Sequence, residues 1–288
     1  MILLKRVLIT GANSYVGTNV EKWLMKEPDK YYVETLDMKD PNWRDFDFSK
    51  FDVVFHVAGI AHIKETKKNR DLFIKINSDL AIDTANIAKK HEINHFIFMS
   101  SMSVFGKVCG EIKRDTDAVP VSSYGKSKLD AENRLKALED DAFKITILRP
   151  PLIYGRYCPG NFSKLAKFAL INPFYPKREN KRSVLYIDNF SNYICKLIDK
   201  NLSGVFHPQN NRYVSTNEII SSIRSLKNKK TIISKAFNWT LAVNKKLSRK
   251  IYGSLYYGFF DDLSLDENYT FLETIELTIE VNSDDKKN

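Results

Sequence analysis

The feature that most constrains the fold is a short apolar run that passes directly into a glycine-punctuated turn. Residues 7–9 are apolar and rich in β-branched side chains, which is typical of a buried strand. Residues 10–17 form the turn, and Val20 and Leu24 then recur with the spacing of one helix face. A turn that enters a helix N-terminus presents backbone N–H groups and a positive dipole end to a phosphate.

The glycines of this turn have separate tasks. Gly11 allows the tight bend, and Gly17 lets the helix pack closely against the strand. The turn is therefore predicted to bind the pyrophosphate of a dinucleotide. The residues assigned to this site are Gly11, Ser14, Tyr15, Val16 and Gly17.

A second strand pattern, Tyr31–Leu36, ends at Asp37, twenty residues after Gly17. In dinucleotide-binding folds an acid at about this distance accepts hydrogen bonds from the adenosine ribose, and its charge repels the 2′-phosphate of NADP. This predicts NAD as the cofactor, with NADP as the alternative. The other interpretation of Asp37 is a turn former, since Asp is frequent at such positions.

Strand and helix patterns continue to alternate through the first 150 residues. Further strands are predicted at residues 52–57, His95–Met99 and Lys144–Leu148, and a long helix at residues 71–90. Five strands alternating with helices predict an α/β fold with a doubly wound parallel sheet of the Rossmann type. Ligands of such sheets bind at the carboxyl ends of the strands, where the sequence places Ala58, Gly59 and Ser101.

Tyr124 and Lys128 lie four positions apart at the start of a predicted helix that extends to about residue 139. Positions i and i+4 share one helix face, and an ammonium beside a phenol lowers the pKa of the hydroxyl. Such a Tyr could exchange a proton with a substrate alcohol near neutral pH. The bare motif also occurs by chance on amphipathic helices, so its position just after the strand that ends at Ser101 carries the argument.

Composition excludes several classes of protein. The 288 residues are 43% hydrophobic and 28% charged, as in a globular protein. We see neither an apolar run of roughly 18 residues nor a signal peptide, so we expect no transmembrane segment. The three cysteines, Cys109, Cys158 and Cys195, suggest neither a disulfide framework nor a metal site, and we expect a cytoplasmic protein.

The net charge of +10 suits an anionic partner. Its densest runs are residues 227–230 and 245–250, but no nucleic-acid-binding signature accompanies them, so we expect no nucleic-acid partner. Residues 237–257 mix aromatic and basic side chains. They predict an amphipathic helix, with a weak membrane-surface contact as the alternative.

The predicted domains are a dinucleotide-binding domain at residues 1–155 and a smaller mixed α/β substrate lobe at 156–288, with some segments interleaved. The lobe is predicted to contain helices at residues 161–169 and 187–200, a strand at Val184–Tyr186, and a helix opened by a capping box of Ser215 and Glu218. The terminal residues 283–288 are predicted to be frayed.

With these motifs aligned, the chain resembles the extended short-chain dehydrogenase/reductase family over about residues 5–220. More narrowly, it resembles nucleotide-sugar epimerases and 4-keto-sugar reductases of bacterial surface-polysaccharide synthesis. The segments that carry the resemblance are residues 10–17, 55–62, 98–106, 124–128, 148–155 and 182–188.

The resemblance implies that Tyr124 is the acid/base, that Ser101 hydrogen-bonds the reacting sugar oxygen, and that Lys128 lowers the pKa of Tyr124 and holds the nicotinamide ribose. It also implies NAD or NADP as cofactor, a UDP-sugar substrate and a homodimer. The further residues that it implies are Asn77 near the active site, Pro150 and Pro151 beside the nicotinamide, and Asn161 and Arg182 at the nucleotide diphosphate. The other interpretation of Arg182 is a solvated charge.

Three departures from the family pattern concern Ser14, which replaces a glycine, Phe105, which replaces a Tyr, and the short segment 37–51. A sugar dehydratase of the family carries Asp-Glu after its catalytic Ser or Thr. Here Met102 and Ser103 follow Ser101, so dehydration is disfavoured. A C4 epimerase and a 4-keto reductase both stay open, and a non-catalytic NAD(P)-binding sensor or scaffold is the alternative.

Overall fold

The computed structural model describes residues 4–61, 63–260 and 263–279. Its strands are β1 (Lys5–Thr10), β2 (Tyr31–Leu36), β3 (Val53–His56), β4 (His95–Met99), β5 (Gly110–Ile112), β6 (Lys144–Leu148), β7 (Leu152–Tyr154), β8 (Phe174–Pro176), β9 (Val184–Tyr186), β10 (Gly204–Phe206), β11 (Ile232–Ser234) and β12 (Leu255–Tyr257). Its α-helices are α1 (Tyr15–Leu24), α2 (Arg70–Ile74), α3 (Leu80–Lys90), α4 (Ser123–Lys136), α5 (Asn161–Ile171), α6 (Ile187–Lys200), α7 (Thr216–Leu226), α8 (Thr240–Val243), α9 (Lys245–Tyr252) and α10 (Phe271–Ile279).

The chain divides into two units. The first comprises Met1–Gly106, Asp117–Pro150 and Phe190–Pro208, and the second comprises Lys107–Thr116, Pro151–Asn189 and Gln209–Asn288.

The first unit contains a six-stranded sheet in the order β10-β6-β4-β3-β1-β2, with every neighbouring pair parallel. The strand order reverses between β1 and β3, since β2 lies on one side of β1 and the later strands on the other. Crevices for ligands open at such a reversal, outside the carboxyl ends of the strands. The predicted α/β class with a parallel sheet is confirmed.

The centre of the sheet is buried, as expected of parallel strands covered on both faces: all four residues of β3 are buried, as are the last four of β1. In β1, Val7, Leu8 and Ile9 have no exposed surface, and a cluster of buried side chains packs around Leu8 and Val54. This rigid core fixes the positions of the turns that follow β1, β3 and β4.

The long helix predicted at residues 71–90 is helical throughout but not regular. The segment Lys75–Asp79 between α2 and α3 has π-helical hydrogen bonding, and its Asn77 is fully buried. A π-turn inserts an extra residue and re-aims the side chains on either side, and it is frequent at functional sites.

The second unit holds three short parallel pairs, β7 with β9, β8 with β11, and β5 with β12. Helix α7 begins at the predicted capping box, in which the Ser215 side chain accepts from Glu218 N and the Glu218 side chain accepts from Ser215 N. The capping box is confirmed.

One expectation for the second unit is wrong. The segment predicted as a single amphipathic helix at residues 237–257 contains α8, α9 and the strand β12. Asn244 ends α8 with φ −138° and ψ 85°, and its side chain caps the next helix by accepting from Leu247 N. Within the described ranges, no helix combines the length and apolar composition needed to cross a bilayer. Residues 283–288 lie outside the described residues.

Candidate active site

The turn between β1 and α1 forms a close-packed cradle. Gly11 has φ +102°, a conformation that L side chains rarely adopt, and a Cβ there would lie 2.8 Å from the backbone N of Ala58. Gly11 N and Ala12 N both donate to the Leu36 carbonyl, at 2.9 and 3.1 Å. The ends of β1, β2 and β3 therefore meet around Gly11, at the point where the strand order reverses.

Ser14 occupies the place where the family pattern has a glycine, and in the structure its side chain stabilises the start of α1. It is the N-cap of α1, and its Oγ accepts a hydrogen bond of 3.1 Å from Gly17 N. The first turn of α1 contains no acidic residue, so the positive end of the helix stays free to attract an anion. Gly17 is also in a tight place, since a Cβ there would lie 3.1 Å from Val57 Cγ2. The cradle and the free helix end fit a dinucleotide pyrophosphate.

Asp37 lies at the end of β2 and is exposed. Its Oδ1 accepts a hydrogen bond of 3.0 Å from Lys39 N, so it does form the turn that its residue type suggests. The carboxylate keeps acceptor capacity for a ribose hydroxyl. Its cofactor role stays a prediction.

Asn77 joins the turn after β3 to helix α4. Its Oδ1 accepts from Ile60 N at 2.8 Å, and its Nδ2 donates to Ile60 O at 3.1 Å and to Ser127 Oγ at 3.0 Å. A Cβ on Gly59 would lie 2.8 Å from Asn77 Oδ1 and 3.5 Å from Lys128 Nζ. The π-turn thus aims one buried amide at both elements, and Gly59 is required for their close approach.

Ser101 and Tyr124 lie together in the structure. Ser101 caps the short 3₁₀ turn Met102–Phe105: its Oγ accepts from Ser103 N at 3.1 Å and donates to Ser103 Oγ at 3.2 Å, and its hydroxyl lies near enough to Tyr124 to affect the pKa of that phenol. Helix α4 reaches this turn because its second residue after the start is a glycine: a Cβ on Gly125 would lie 2.5 Å from Ser103 O. Ser122 caps the same helix by accepting from Gly125 N at 3.1 Å. The local sequence of α4 therefore brings the phenol to the serine.

Lys128 lies one turn further along α4 and is buried. Its Nζ donates to the Met99 carbonyl at 2.7 Å and lies 4.6 Å from the centre of the Phe98 ring. Burial lowers the pKa of Lys128 to about 7, against a smaller opposing effect of the Glu132 carboxylate. The Lys128 amine is therefore neutral in a fraction of the molecules at neutral pH.

The pKa of Tyr124 differs from the sequence expectation. Burial raises the pKa of Tyr124, and the neighbouring Ser101 hydroxyl offsets only part of that rise. The sequence reasoning counted the ammonium one turn away but not the loss of solvent, which the tertiary structure imposes on both groups. In this structure the phenol is held protonated, as a proton donor.

A buried ion pair between Glu132 of α4 and Arg149 stabilises this helix. Glu132 has no exposed surface, and its Oε2 accepts from Arg149 Nη2 at 2.5 Å. Ser100 also donates to Glu132, and the Arg149 guanidinium lies 5.0 Å from the Phe105 ring. Sequence reasoning missed this role for Glu132. Its position four residues after Lys128, on the same helix face, is the signal that could have found it.

Three of the predicted site residues belong to the second unit. Pro151 is buried, and Asn161 is exposed at the first residue of α5. Arg182 Nη1 donates to three carbonyls at the end of α9, those of Lys250, Ile251 and Gly253, at 3.1, 3.3 and 3.1 Å. Burial lowers the pKa of Arg182. The interpretation of Arg182 as a solvated charge is therefore wrong, and its diphosphate role stays a prediction.

The other titratable groups suggest structural tasks. His56 is fully buried, stacks 5.8 Å from Phe96, and has its pKa lowered to about 3 by burial, so it is neutral in the core. The three cysteines are free thiols. Among the described residues, no group of three or more His, Cys, Asp and Glu side chains could hold a metal ion.

Comparison with known proteins decides the family. Residues 7–207 match the model of the NAD dependent epimerase/dehydratase family. The chain belongs to this family. The match covers both the turn after β1 and the helix with Tyr124 and Lys128, and it confirms the family resemblance seen in the sequence.

Two similar proteins are named as sugar 4-epimerases. The chain is 28% identical over 278 residues to UDP-glucose 4-epimerase of Vibrio cholerae, covering 86% of this chain and 83% of the relative. It is 25% identical to N-acetyl-alpha-D-glucosaminyl-diphospho-ditrans,octacis-undecaprenol 4-epimerase of Escherichia coli O157:H7, covering 78% and 73%. The crystal structure of UDP-glucuronic acid 4-epimerase from Bacillus cereus, in complex with NAD, has the same fold, with a TM-score of 0.74, 20% identity and coverage of 95% and 97%.

Proposed function

We propose that the protein catalyses NAD-dependent oxidoreduction at C4 of a nucleotide-activated sugar, as a UDP-hexose 4-epimerase or a UDP-4-keto-sugar reductase. The observation that carries the proposal is the placement of Ser101 near Tyr124, with Lys128 one helical turn along α4 and beside Gly59. A sensor that only binds the dinucleotide needs none of these three side chains. The relative from Vibrio cholerae supports the choice of C4 and of a UDP-sugar.

The residues of the first unit would divide the work as follows. Gly11, Ser14 and the N-terminus of α1 would hold the pyrophosphate, with Asp37 at the adenosine ribose. When bound, nicotinamide would accept hydride from C4 and return it in an epimerase, or, in its reduced form, donate hydride to the C4 carbonyl carbon in a reductase. Every other step belongs to side chains of this chain.

Tyr124 would move the proton of the C4 hydroxyl, and Ser101, whose hydroxyl lies near the phenol, would orient that oxygen by a hydrogen bond. Because burial disfavours a phenolate, removal of the Tyr124 proton requires a nearby positive charge. Lys128, one turn along α4, supplies this charge when it is protonated. Its pKa of about 7 lets that charge respond to what binds beside it.

The carrier of the sugar has a second candidate. The relative from Escherichia coli acts on a sugar linked to undecaprenol through a diphosphate, and such a substrate presents the same sugar diphosphate as a UDP-sugar does. We therefore keep a polyprenyl-diphosphate sugar beside the UDP-sugar.

The proposed compartment is the cytoplasm, and a homodimer formed by α3 and α4 is proposed as the assembly.

The test is turnover by the purified protein, with its bound cofactor identified first. Conversion of UDP-glucose, UDP-N-acetylglucosamine or UDP-glucuronic acid to the C4 epimer without added cofactor supports the epimerase. Reduction of a UDP-4-keto sugar only with added NADH or NADPH supports the reductase. Conversion of a short-chain polyprenyl-diphosphate sugar, but not of its UDP counterpart, identifies the lipid carrier. Bound NAD without turnover of any of these favours the sensor and contradicts the proposal.

A further inference from the structure

The positive charge of the chain is concentrated in one part of the second unit. Residues 219–260 contain nine Lys and Arg residues and no Asp or Glu, against a net charge of +10 for the whole chain. Residues 151–178 likewise contain five Lys and Arg residues and no acid. Two acid-free segments of this length are not needed for solubility, because scattered charges of both signs provide it.

The fold joins these two segments into one surface. Strand β8 of the first segment pairs with β11 of the second, with Phe174 opposite Ile232. The rings of Phe174 and Phe237 lie 5.3 Å apart, and Lys229 Nζ donates to Leu170 O at 2.8 Å. We call the exposed side chains of residues 168–174 and 229–250 the basic–apolar surface.

Large apolar side chains of this surface face solvent. Ile171 is 82% exposed, Val243 is 73% exposed and Trp239 is 66% exposed, and Phe174 and Leu247 are each about half exposed. Trp239 and Val243 are four residues apart at α8, so they share one face. Clustered exposed apolar groups bordered by polar ones mark sites of interaction rather than ordinary surface.

The lysines at the start of α9 point to the same conclusion. Lys245 and Lys246 are the first two residues of the helix, where the positive end of the helix dipole disfavours a cation. Both are exposed. Their charge therefore does not serve the helix, and an external anion explains it better.

We propose that the basic–apolar surface docks the protein onto the anionic headgroups of a lipid bilayer. Trp239, Val243 and Leu247 would enter the boundary between headgroups and acyl chains, while Lys245 and Lys246 contact lipid phosphates. A second copy of this chain is disfavoured as the occupant, since two such surfaces repel each other. Nucleic acid is also disfavoured as the occupant, because it would leave the exposed aliphatic side chains without a function. The inference goes beyond the proposed function and does not depend on it.

The experiment is co-sedimentation of the full chain with vesicles of phosphatidylcholine alone and of phosphatidylcholine mixed with phosphatidylglycerol. We expect binding to the mixed vesicles only, and weaker binding at high salt because surface charges are screened. Loss of one lysine charge should weaken binding about fivefold, so loss of both should weaken it about 30-fold and reversal of both should weaken it further. The variants are Lys245→Glu with Lys246→Glu, and Trp239→Ser with Val243→Ser.

The matched control is Lys67→Glu with Lys68→Glu, an adjacent exposed lysine pair in the first unit. Glutamate at the start of α9 favours the helix dipole, so lost binding by the Lys245 and Lys246 variant is not a consequence of unfolding. Equal binding to both kinds of vesicle, or binding to neither, would overturn the proposal. So would wild-type binding by the α9 variant, an equal loss in the control, or a change of oligomeric state in the Trp239 and Val243 variant. Because the readout is vesicle binding, the result is separate from any failure of the sugar chemistry.

Discussion

Lys128 should make the stability of the protein depend on pH in a direction that few lysines do. The side chain is 4% exposed, and burial lowers its pKa from the ordinary 10.5 to about 7. Between these two pH values the unfolded chain binds a proton at this residue that the folded protein has lost. Stability therefore rises with pH across this window and is lowest below pH 7.

The magnitude follows from the two pKa values. At about 1.4 kcal/mol for each pKa unit, the fall from 10.5 to about 7 corresponds to an upper limit of roughly 5 kcal/mol at low pH. Lys128→Met removes this penalty. The substitution also removes the hydrogen bond to the Met99 carbonyl, and this loss offsets about 1 kcal/mol of the stability gain at every pH. The stability gained by the variant should therefore shrink by about 3 kcal/mol between pH 7 and pH ~9.5.

Urea unfolding of both proteins across this pH range measures the difference directly. Other titrating groups are common to the two proteins, so they cancel in the comparison. Lys126→Met is the control, since Lys126 lies on the same helix and is exposed to water. If the unfolding free energies of wild type and Lys128→Met run parallel with pH, the burial of an ammonium at this position is refuted.

Three further substitutions test the geometry of the site. Gly11→Ala should lower the melting temperature and abolish NAD binding, because its methyl group would meet Ala58; Gly204→Ala is the control, with φ +117° but no close neighbour. Asn77→Ala should destabilise by about 2–4 kcal/mol in urea unfolding, since it leaves Ile60 N and O unsatisfied. Glu132→Gln should lower the pKa of Lys128 further, so the rise of stability with pH should begin at a lower pH; an unchanged onset would contradict that coupling.

Local patterns predicted the elements whose bounds are marked by neighbouring residues in the sequence. Tyr31–Leu36, His95–Met99 and Lys144–Leu148 have the predicted bounds, because each apolar run is bordered by turn residues. The capping box at Ser215 could also be predicted from the sequence, since both of its partners lie within four residues.

Features that depend on contacts between distant residues could not be predicted from local sequence patterns. The sixth strand, Gly204–Phe206, has only three residues and exists through its pairing with Lys144–Leu148. The break at Asn244 and the carbonyl contacts of Arg182 likewise depend on how the second unit packs. For the candidate site, the sequence located Tyr124 and its neighbours but not the direction of its pKa. Burial decides that direction, and burial is a property of the whole unit.

The proposed role of Tyr124 in moving the proton at sugar C4 can be tested by a single comparison of turnover. Interconversion of the C4 epimers of the best UDP-sugar substrate, or reduction of its 4-keto form, should be followed by NMR for wild type and Tyr124→Phe, with bound NAD quantified in both. The variant should fold, retain its NAD, and turn over about 10²-fold more slowly or worse. Wild-type turnover by a folded, NAD-loaded Tyr124→Phe would contradict this role.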